Sequence, residues 1–313
     1  MQITDRMTIL RGGKSMGVHN TADVDPETIS RLMVGRDVVL KVEKEPAKPT
    51  DVVLRVRDLE YTNEWGKKKM LDNFSMDLRK GEILGIAGVE GNGQKELVDM
   101  LFNFNVPDYG TATINGENIL GQPQRKIREK GVSLIPEDRM IHGIAGTASI
   151  EENLISDRAG SPELNNGPLF NMKAIHANTE KMIEDYKVLC KSGSQQIKML
   201  SGGNIQKVVV AREFSNNPAL IIADQPTRGI DVGATEFIRK KLVELSRSGI
   251  AVLLVSADLN EVMELSDSLI VMYGGKIAAY FEDTKDLNDE IMGEYMLGLK
   301  QQTAEEVGRV CHE

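Results

Sequence analysis

The chain of 313 residues has few cysteines, no long apolar run and no excess of positive charge. Its two cysteines, Cys190 and Cys311, lie far apart, which argues against a disulfide framework or a Cys-x-x-Cys metal site and fits a reducing compartment. The longest apolar runs, such as residues 250–255, are much shorter than the ~20 residues of a membrane-spanning helix. With 47 acidic and 38 basic residues the net charge is −9, which argues against nucleic-acid binding by charge alone.

The composition nevertheless supports a folded chain of substantial size. Hydrophobic residues make up 41% of the sequence, which is enough for a sizeable core and too much for wholesale disorder. At roughly 150 residues per domain, the length corresponds to one large domain or two small ones.

One pattern occurs twice, near the two ends of the chain. Residues 5–14 (DRMTILRGGK) are similar to residues 267–276 (DSLIVMYGGK), and residues 32–35 correspond to residues 295–298 at nearly the same spacing. Each copy predicts a strand, a Gly-Gly turn and a closing helix, and similarity at a fixed spacing indicates duplication. Two interpretations stay open. Either residues 1–36 are the tail of a truncated first domain, or the similarity arose by chance.

The remaining boundaries follow from composition. Residues 37–50 are charged and contain Pro46 and Pro49, which predicts a solvated linker. The main domain then covers residues 51–299. Residues 300–313 are polar, and we expect a flexible tail there.

The main domain has the pattern of an α/β fold. Four apolar runs have the length of strands buried on both faces of a parallel sheet: residues 82–87, 132–135, 219–223 and 251–256. Helical stretches separate them, at residues 94–102, 176–189, 205–214 and 234–247. Three alternating segments predict an attached antiparallel part, at residues 52–61, 74–78 and 111–115.

A glycine-rich loop follows the first buried strand. Gly88 and Gly93 have the spacing of the phosphate-loop pattern G-x-x-x-x-G-K-[ST], with Gly91 and Asn92 between them. Glycines let backbone N–H groups turn toward one anion, and the helix that follows adds its positive end.

The side chains of this loop depart from the pattern. Gln94 stands where lysine belongs, and Lys95 stands where a serine or threonine would hold magnesium. Lys95 cannot replace the missing lysine, because one helical step turns the side chain by about 100°. Glu96 adds a carboxylate near the expected phosphates. The loop is either a weak backbone cradle for phosphate or a glycine turn without a ligand.

A second element of a phosphate site lies downstream. The apolar run 219–223 ends at Asp224, in the way that a Walker B aspartate is presented to magnesium. A strand ending in aspartate is common, so this signal depends on the glycine loop upstream. Asp224 is the candidate for a weak magnesium site.

Between these elements stands a segment that identifies a family. Residues 200–207 read LSGGNIQK, and the order and spacing of the three motifs resemble an ABC-transporter ATPase, with the signature residues Leu200, Ser201, Gly202, Gly203 and Asn204. The sequence segments GNGQ, PED and PTRGIDVGA resemble those of the second ATPase domain of tandem simple-sugar and nucleoside importers. The resemblance covers residues 51–299 and the tail of the first domain before them.

This resemblance implies a P-loop NTPase fold with a mixed or parallel sheet, an antiparallel β subdomain and a helical signature subdomain at about residues 145–205. It implies ATP and Mg²⁺ as ligands, with Tyr61 against adenine, Glu137 at the Q-loop position and Asp231 in the D-loop. It also implies a membrane permease as partner, and a cytoplasmic place at the inner face of the membrane.

Two further residues depart from the family. Gln225 stands where a glutamate polarises the attacking water, and Ala257 stands where a switch histidine belongs. Glutamine can hold water but cannot take its proton, and alanine can do neither. We therefore expect a degenerate site and little or no turnover by the isolated chain.

The signature shows no such loss, and in the family it reaches across to a partner's ATP. The partner would be the first ATPase domain of the same protein or a second ABC subunit. The alternative is a structural or regulatory platform that binds no nucleotide. A soluble ABC ATPase for DNA or translation is disfavoured by the net charge of −9.

Overall fold

The computed structural model describes residues 4–11, 13–36, 42–63 and 68–312. At its start, β1 (Arg6–Arg11) and β2 (Lys14–Asn20) form an antiparallel hairpin, followed by α1 (Pro26–Val34). Asp25 caps α1 by accepting a hydrogen bond from the Thr28 N–H at 2.7 Å, and the helix ends at a left-handed glycine.

A four-stranded antiparallel sheet comes next. Its spatial order is β4-β3-β6-β7, built from β3 (Val52–Thr62), β4 (Lys69–Arg79), β6 (Tyr109–Ile114) and β7 (Glu117–Asn118). The alternation of buried and exposed residues along β3 is what the sequence pattern predicts for a sheet with one buried face.

The central sheet has six strands. They are β5 (Ile83–Ala87), β8 (Val132–Ile135), β11 (Leu220–Asp224), β12 (Ala251–Val255), β13 (Ser268–Tyr273) and β14 (Lys276–Phe281). The order is β14-β13-β5-β12-β11-β8, and all pairs are parallel except β13 with β14. Every residue of β5, β8, β11 and β12 is buried, because helices and the antiparallel sheet cover both faces. The predicted α/β class with an attached antiparallel sheet is confirmed.

The helices of the core connect these strands. They are α2 (Gln94–Leu101), α3 (Gln124–Glu129), α6 (Gly202–Phe214), α7 (Val232–Arg247), α8 (Leu259–Leu265) and α9 (Asp289–Met296). No helix in the described part of the chain is long and apolar enough to cross a bilayer.

A smaller helical part precedes the signature. It contains α4 (Ile150–Ile155), α5 (Met172–Asp185) and a short hairpin of β9 (Asn165–Asn166) and β10 (Leu169–Phe170), and with α6 it encloses its own apolar cluster. Helix α5 begins four residues before the predicted position, because the Asn171 side chain accepts a hydrogen bond from the Ala174 N–H at 3.2 Å.

The two similar sequence segments adopt similar structures. The hairpin β1-β2 with α1 has its counterpart in β13-β14 with α9, and the turn-closing pairs Arg11–Lys14 and Tyr273–Lys276 occupy matching places. Gly35 and Gly298 both have positive φ at the helix ends, 88° and 71°. The likeness in sequence therefore extends to local structure.

Residues 42–50 form no helix or strand and are largely exposed, but they are held to the main domain more closely than the predicted solvated linker. Val42 is buried, the Lys44 ammonium donates to the Leu265 carbonyl at 3.0 Å, and the Glu45 carbonyl accepts from Arg247 Nε at 2.8 Å. The charged side chain of Lys44 thus binds backbone carbonyls at the end of α8. The rest of the expected linker, residues 37–41, lies outside the described residues.

The last residues also differ from the expected flexible tail. Residues 304–308 form α10 (Ala304–Gly308), and Val310 is 1% exposed within the main apolar cluster. Its carbonyl accepts from the Asp77 N–H at 3.1 Å, and the Asp77 carboxylate accepts from the His312 N–H at 2.7 Å. Val310 and its hydrogen bonds, with Val307 and Cys311 packed on the same cluster, hold a segment that is otherwise mostly polar.

Candidate nucleotide site

A cavity of about 490 Å³ opens at the carboxyl ends of β5, β11 and β12. Ligand sites in α/β sheets lie at this edge, because loops that follow parallel strands meet there. Eight of the predicted site residues line it: Gly88, Gly91, Gln94, Lys95, Glu137, Asp224, Gln225 and Ala257. The structure thus brings the glycine loop, the strand-ending aspartate and the two departures from the family into one place.

The loop is fixed by glycine geometry and by Asn92. Gly91 and Gly93 have φ of 84° and 107°, and a Cβ at Gly93 would lie 2.3 Å from the Met70 carbonyl oxygen. The Asn92 side chain accepts from the Gly274 N–H at 2.9 Å, which ties the loop to the β13–β14 turn.

Gln94 is folded back into the loop. Its side-chain amide donates to the Val89 carbonyl at 3.3 Å, and the residue is 8% exposed. A Cβ at Gly88 would lie 2.2 Å from this amide, so the loop closes around it. The position that carries a lysine in phosphate loops therefore brings no charge to the cavity.

Lys95 carries the positive charge instead. Its ammonium lies 3.4 and 3.3 Å from the two carboxylate oxygens of Asp99, one helical turn later. Burial lowers the pKa of Lys95, but the negative charges of Asp99, Asp224 and Glu137 outweigh it, and the net effect raises that pKa. Lys95 is therefore a cation throughout the physiological pH range.

Asp224 is the buried acid of the cavity and is 7% exposed. Burial, reinforced by the Glu137 carboxylate and opposed by Lys95, raises the pKa of Asp224 to about 7. Glu137 itself pairs with the guanidinium of Arg228. Near neutral pH the Asp224 carboxyl is thus only partly ionised.

Gln225 and Ala257 contact each other. The Gln225 Oε1 accepts a hydrogen bond from the Ala257 N–H at 3.1 Å, and Gln225 holds a left-handed backbone with φ of 50°. The amide that replaces the family's glutamate is therefore held by the backbone of the residue that replaces the switch histidine.

Magnesium fits these residues poorly. In the expected arrangement a loop hydroxyl and the Walker B aspartate supply oxygen ligands. Asp224 is present, but the Lys95 ammonium has three donors and no lone pair to coordinate a metal. Within the described ranges, no group of three or more His, Cys, Asp or Glu side chains is arranged to hold a metal ion.

The signature residues lie away from this cavity. Ser201 caps α6, since its hydroxyl accepts from the Asn204 N–H at 3.4 Å and the Asn204 amide at 2.9 Å. Gly203 packs on the D-loop, where a Cβ would lie 2.4 Å from Asp231 Oδ2. Asp231 in turn caps α7 through the Ala234 N–H at 2.9 Å. The signature, with Leu200 and Gly202, and the D-loop thus form one connected unit.

Besides the five signature residues and Asp231, four predicted residues do not line the cavity: Tyr61, Asn92, Gly93 and Glu96. Tyr61 is partly buried against the main apolar cluster.

Sequence reasoning missed two residues near the site. Asp99 was available from its spacing of four residues after Lys95, which places both on one helix face. Arg139 donates to the carbonyls of Arg228 at 2.8 Å and Gly229 at 3.1 Å, and thereby joins the Q-loop region to the D-loop. No local signal indicates that contact, because 90 residues separate Arg139 from Gly229.

Comparison with known proteins gives a consistent result. The model of the family described as "ABC transporter" matches residues 71–228, about half of the chain. The chain is 36% identical to the glucose import ATP-binding protein TsgD13 of Haloferax volcanii, over 96% of this chain and 55% of that protein. It is 37% identical to the guanosine import ATP-binding protein NupO of Bacillus subtilis, over 96% of this chain and 59% of that protein. The chain therefore spans little more than half the length of these relatives.

A solved structure shows the same fold. The ADP conformation of an ATP-binding cassette of an ABC transporter superposes with a TM-score of 0.60 at 22% identity, over 83% of this chain and 98% of that one. The family model covers the glycine loop, Glu137, Asp224 and Gln225 of the cavity, and it ends before Asp231 and Ala257. The chain belongs to the ABC transporter family and has the fold of its ATP-binding cassette.

Proposed function

We propose that this chain is the second ATP-binding half of an importer for simple sugars or nucleosides, with a degenerate site of its own. Two relatives, named as a glucose and a guanosine import ATP-binding protein, support this cargo class. In this proposal the chain works at the inner face of the membrane, against a permease. Residues 4–36, which repeat the hairpin and helix of residues 268–298, are the tail of a preceding cassette.

The observation that carries the proposal is an asymmetry within the cassette. The cavity departs from the family at Gln94, Lys95, Gln225 and Ala257. Phosphoryl transfer depends on positioning and on neutralising the charge of the phosphates. Gln225 cannot take a proton from water, and its oxygen is already bonded to the Ala257 N–H. ATP in this cavity would be held without being split.

The signature side is complete. Ser201 lies at the N-terminus of α6, a helix of 13 residues, where free N–H groups and the helix dipole favour an anion. Ser201 is exposed, whereas Gly203 is buried against Asp231. This surface would be offered to the ATP of the partner, which is the preceding cassette or a second ABC subunit. ATP held between the two halves would draw them together and move the permease.

The test is the ATPase activity of this chain assembled with a cassette whose phosphate loop is intact. Ser201→Arg, which places a bulky side chain on the offered surface, should abolish hydrolysis. Ser192→Arg is the matched control, because Ser192 is also exposed and lies in the same helical part. Full activity in the Ser201→Arg protein would reject the proposed role of the signature.

A second candidate is a platform that binds no nucleotide. The folding of the Gln94 amide into the loop favours it, because the loop is closed by its own side chain. Titration calorimetry of the purified chain with ATP separates the two candidates. Measurable binding supports the degenerate nucleotide site, and no binding supports the platform.

A further inference from the structure

The Lys95 ammonium lies at the beginning of α2, where the phosphates of a nucleotide would approach the cavity. Lys95 lines the cavity together with Glu137 and Asp224, and its ammonium is held by both oxygens of Asp99 at 3.3 and 3.4 Å. The side chain is 62% exposed, so the ammonium can leave Asp99 for another anion at little cost.

The charges around this cation make it necessary for anion binding. Glu90, Glu137 and the partly ionised Asp224 line the cavity, and Asp99 adds a carboxylate beside Lys95. Asp258 also lines it, but its carboxylate is paired with Arg239 at 3.2 Å. Two other cations lie nearby and already have partners: Arg228 is paired with Glu137, and the Lys68 ammonium donates to the Gly91 carbonyl at 3.0 Å. A triphosphate would bring several more negative charges into the cavity. Repulsion from the carboxylates would oppose its binding unless a cation lay between them and the phosphates.

In an ABC cassette that cation is magnesium, held by the loop hydroxyl and the Walker B aspartate. Here the hydroxyl is replaced by an ammonium that has no lone pair and repels a second cation. A lysine ammonium is itself an effective point charge for phosphate. Lys95, which stands in place of the metal ligand, therefore supplies one positive charge where the metal would supply two.

We propose that the Lys95 ammonium takes the place of the magnesium ion, so that this cavity binds a nucleoside triphosphate free of divalent metal. The proposal rests on the proposed nucleotide binding of this site and deepens it. Asp99 acts as the resting partner that positions Lys95 when no phosphate is present.

The test compares the affinity of the purified full chain for ATP by titration calorimetry, once with EDTA and once with excess Mg²⁺. The affinity of the unmodified protein for ATP in EDTA should equal its affinity in Mg²⁺ within about twofold, or exceed it. Lys95→Ser restores a hydroxyl beside Asp224, so it should lose about tenfold in EDTA and regain affinity when Mg²⁺ is added. Lys126→Ser is the control, because Lys126 also pairs with a carboxylate on its own helix, Glu129, and does not line the cavity.

The outcomes separate this inference from the proposed function. Binding by the unmodified chain that is about tenfold tighter in Mg²⁺ overturns the inference and leaves nucleotide binding intact. No binding in either condition overturns both the inference and nucleotide binding in this cavity, while the Ser201→Arg experiment still reports the role of the signature. The comparison of the unmodified chain in the two buffers decides the matter even where Lys95→Ser does not fold.

Discussion

The side-chain oxygen of Gln225 accepts a hydrogen bond from the backbone N–H of Ala257 at 3.1 Å. These two positions would carry the catalytic glutamate and the switch histidine in an active cassette. Their contact holds the ends of β11 and β12 together across the floor of the cavity. In the proposed degenerate site, this pair has a structural role where an active enzyme would have a chemical one.

This contact predicts the result of restoring one catalytic group. Gln225→Glu should not produce steady ATP hydrolysis by the purified chain, because Gln94 and Ala257 remain and a carboxylate would also face the buried acid Asp224. Phosphate release with ATP and Mg²⁺ is the measurement, with Gln225→Ala as the control. Multiple turnovers in Gln225→Glu alone would show that the other losses do not matter.

The buried acid predicts a pH dependence of stability. The folded state holds a proton on Asp224 up to pH about 7, whereas an unfolded chain releases it near 3.8. The unfolded state therefore binds fewer protons in this window, and stability falls as the pH rises from about 4 to about 7.

Asp224→Asn should remove this loss. We expect the variant to be more stable than the unmodified chain by a few kcal/mol at pH 8, and by little below pH 4, where both states are protonated. Urea unfolding across this pH range measures the difference. Asp51→Asn, at a carboxylate that is 84% exposed, serves as the control. Equal stability of Asp224→Asn and the unmodified chain at pH 8 would show that the carboxylate is not strained by burial.

The docked C-terminal segment predicts a loss of stability on substitution. Val310 is 1% exposed, so Val310→Asp should cost about 3 kcal/mol or more, because a charge would enter the apolar cluster. Leu299→Asp, at a residue 76% exposed near the same segment, should change the free energy of unfolding by less than about 0.5 kcal/mol. Urea unfolding at neutral pH compares the two. Similar small effects of both variants would mean that the segment is not part of the folded core.

The packing of the signature on the D-loop predicts the effect of a single methyl group. Gly203→Ala would place its Cβ 2.4 Å from Asp231 Oδ2, so the Asp231 carboxylate, whose other oxygen caps α7, must shift. We expect a loss of about 1–2 kcal/mol in stability and a lower ATPase activity of the partner cassette. Gly146→Ala is the matched control, since the nearest neighbour of its Cβ is 3.8 Å away. If Gly203→Ala changes neither the ATPase activity nor the melting temperature, the signature and the D-loop do not form one connected unit.

The sequence predicts the central sheet well, because strands buried on both faces leave continuous apolar runs. Residues 132–135 are a strand with the predicted bounds, and the other three runs are placed within one residue at each end. Helix α5 was displaced because its start depends on the single cap of Asn171, which carries little weight in an apolar pattern.

Other features depend on contacts between distant residues and leave no local signal. Residues 300–313 are mostly polar in composition, and this does not indicate that Val310 is buried. Val310 is buried because it packs into the main apolar cluster. The motif positions showed which groups the site lacks, but they could not show that Gln94 folds into its own loop or that Gln225 bonds to Ala257. Those side-chain conformations depend on the residues that surround Gln94 and Gln225 in the fold.

The central claim is that the cavity of this chain does not hydrolyse ATP, whereas its signature is needed for hydrolysis by the partner. Two variants of one assembled complex test this claim most directly. The measurement is steady-state ATP hydrolysis by this chain with an intact partner cassette, comparing Ser201→Arg with Asp224→Asn. We predict that Ser201→Arg abolishes hydrolysis and that Asp224→Asn leaves most of it. The reverse pattern, with activity lost in Asp224→Asn and kept in Ser201→Arg, would contradict the account.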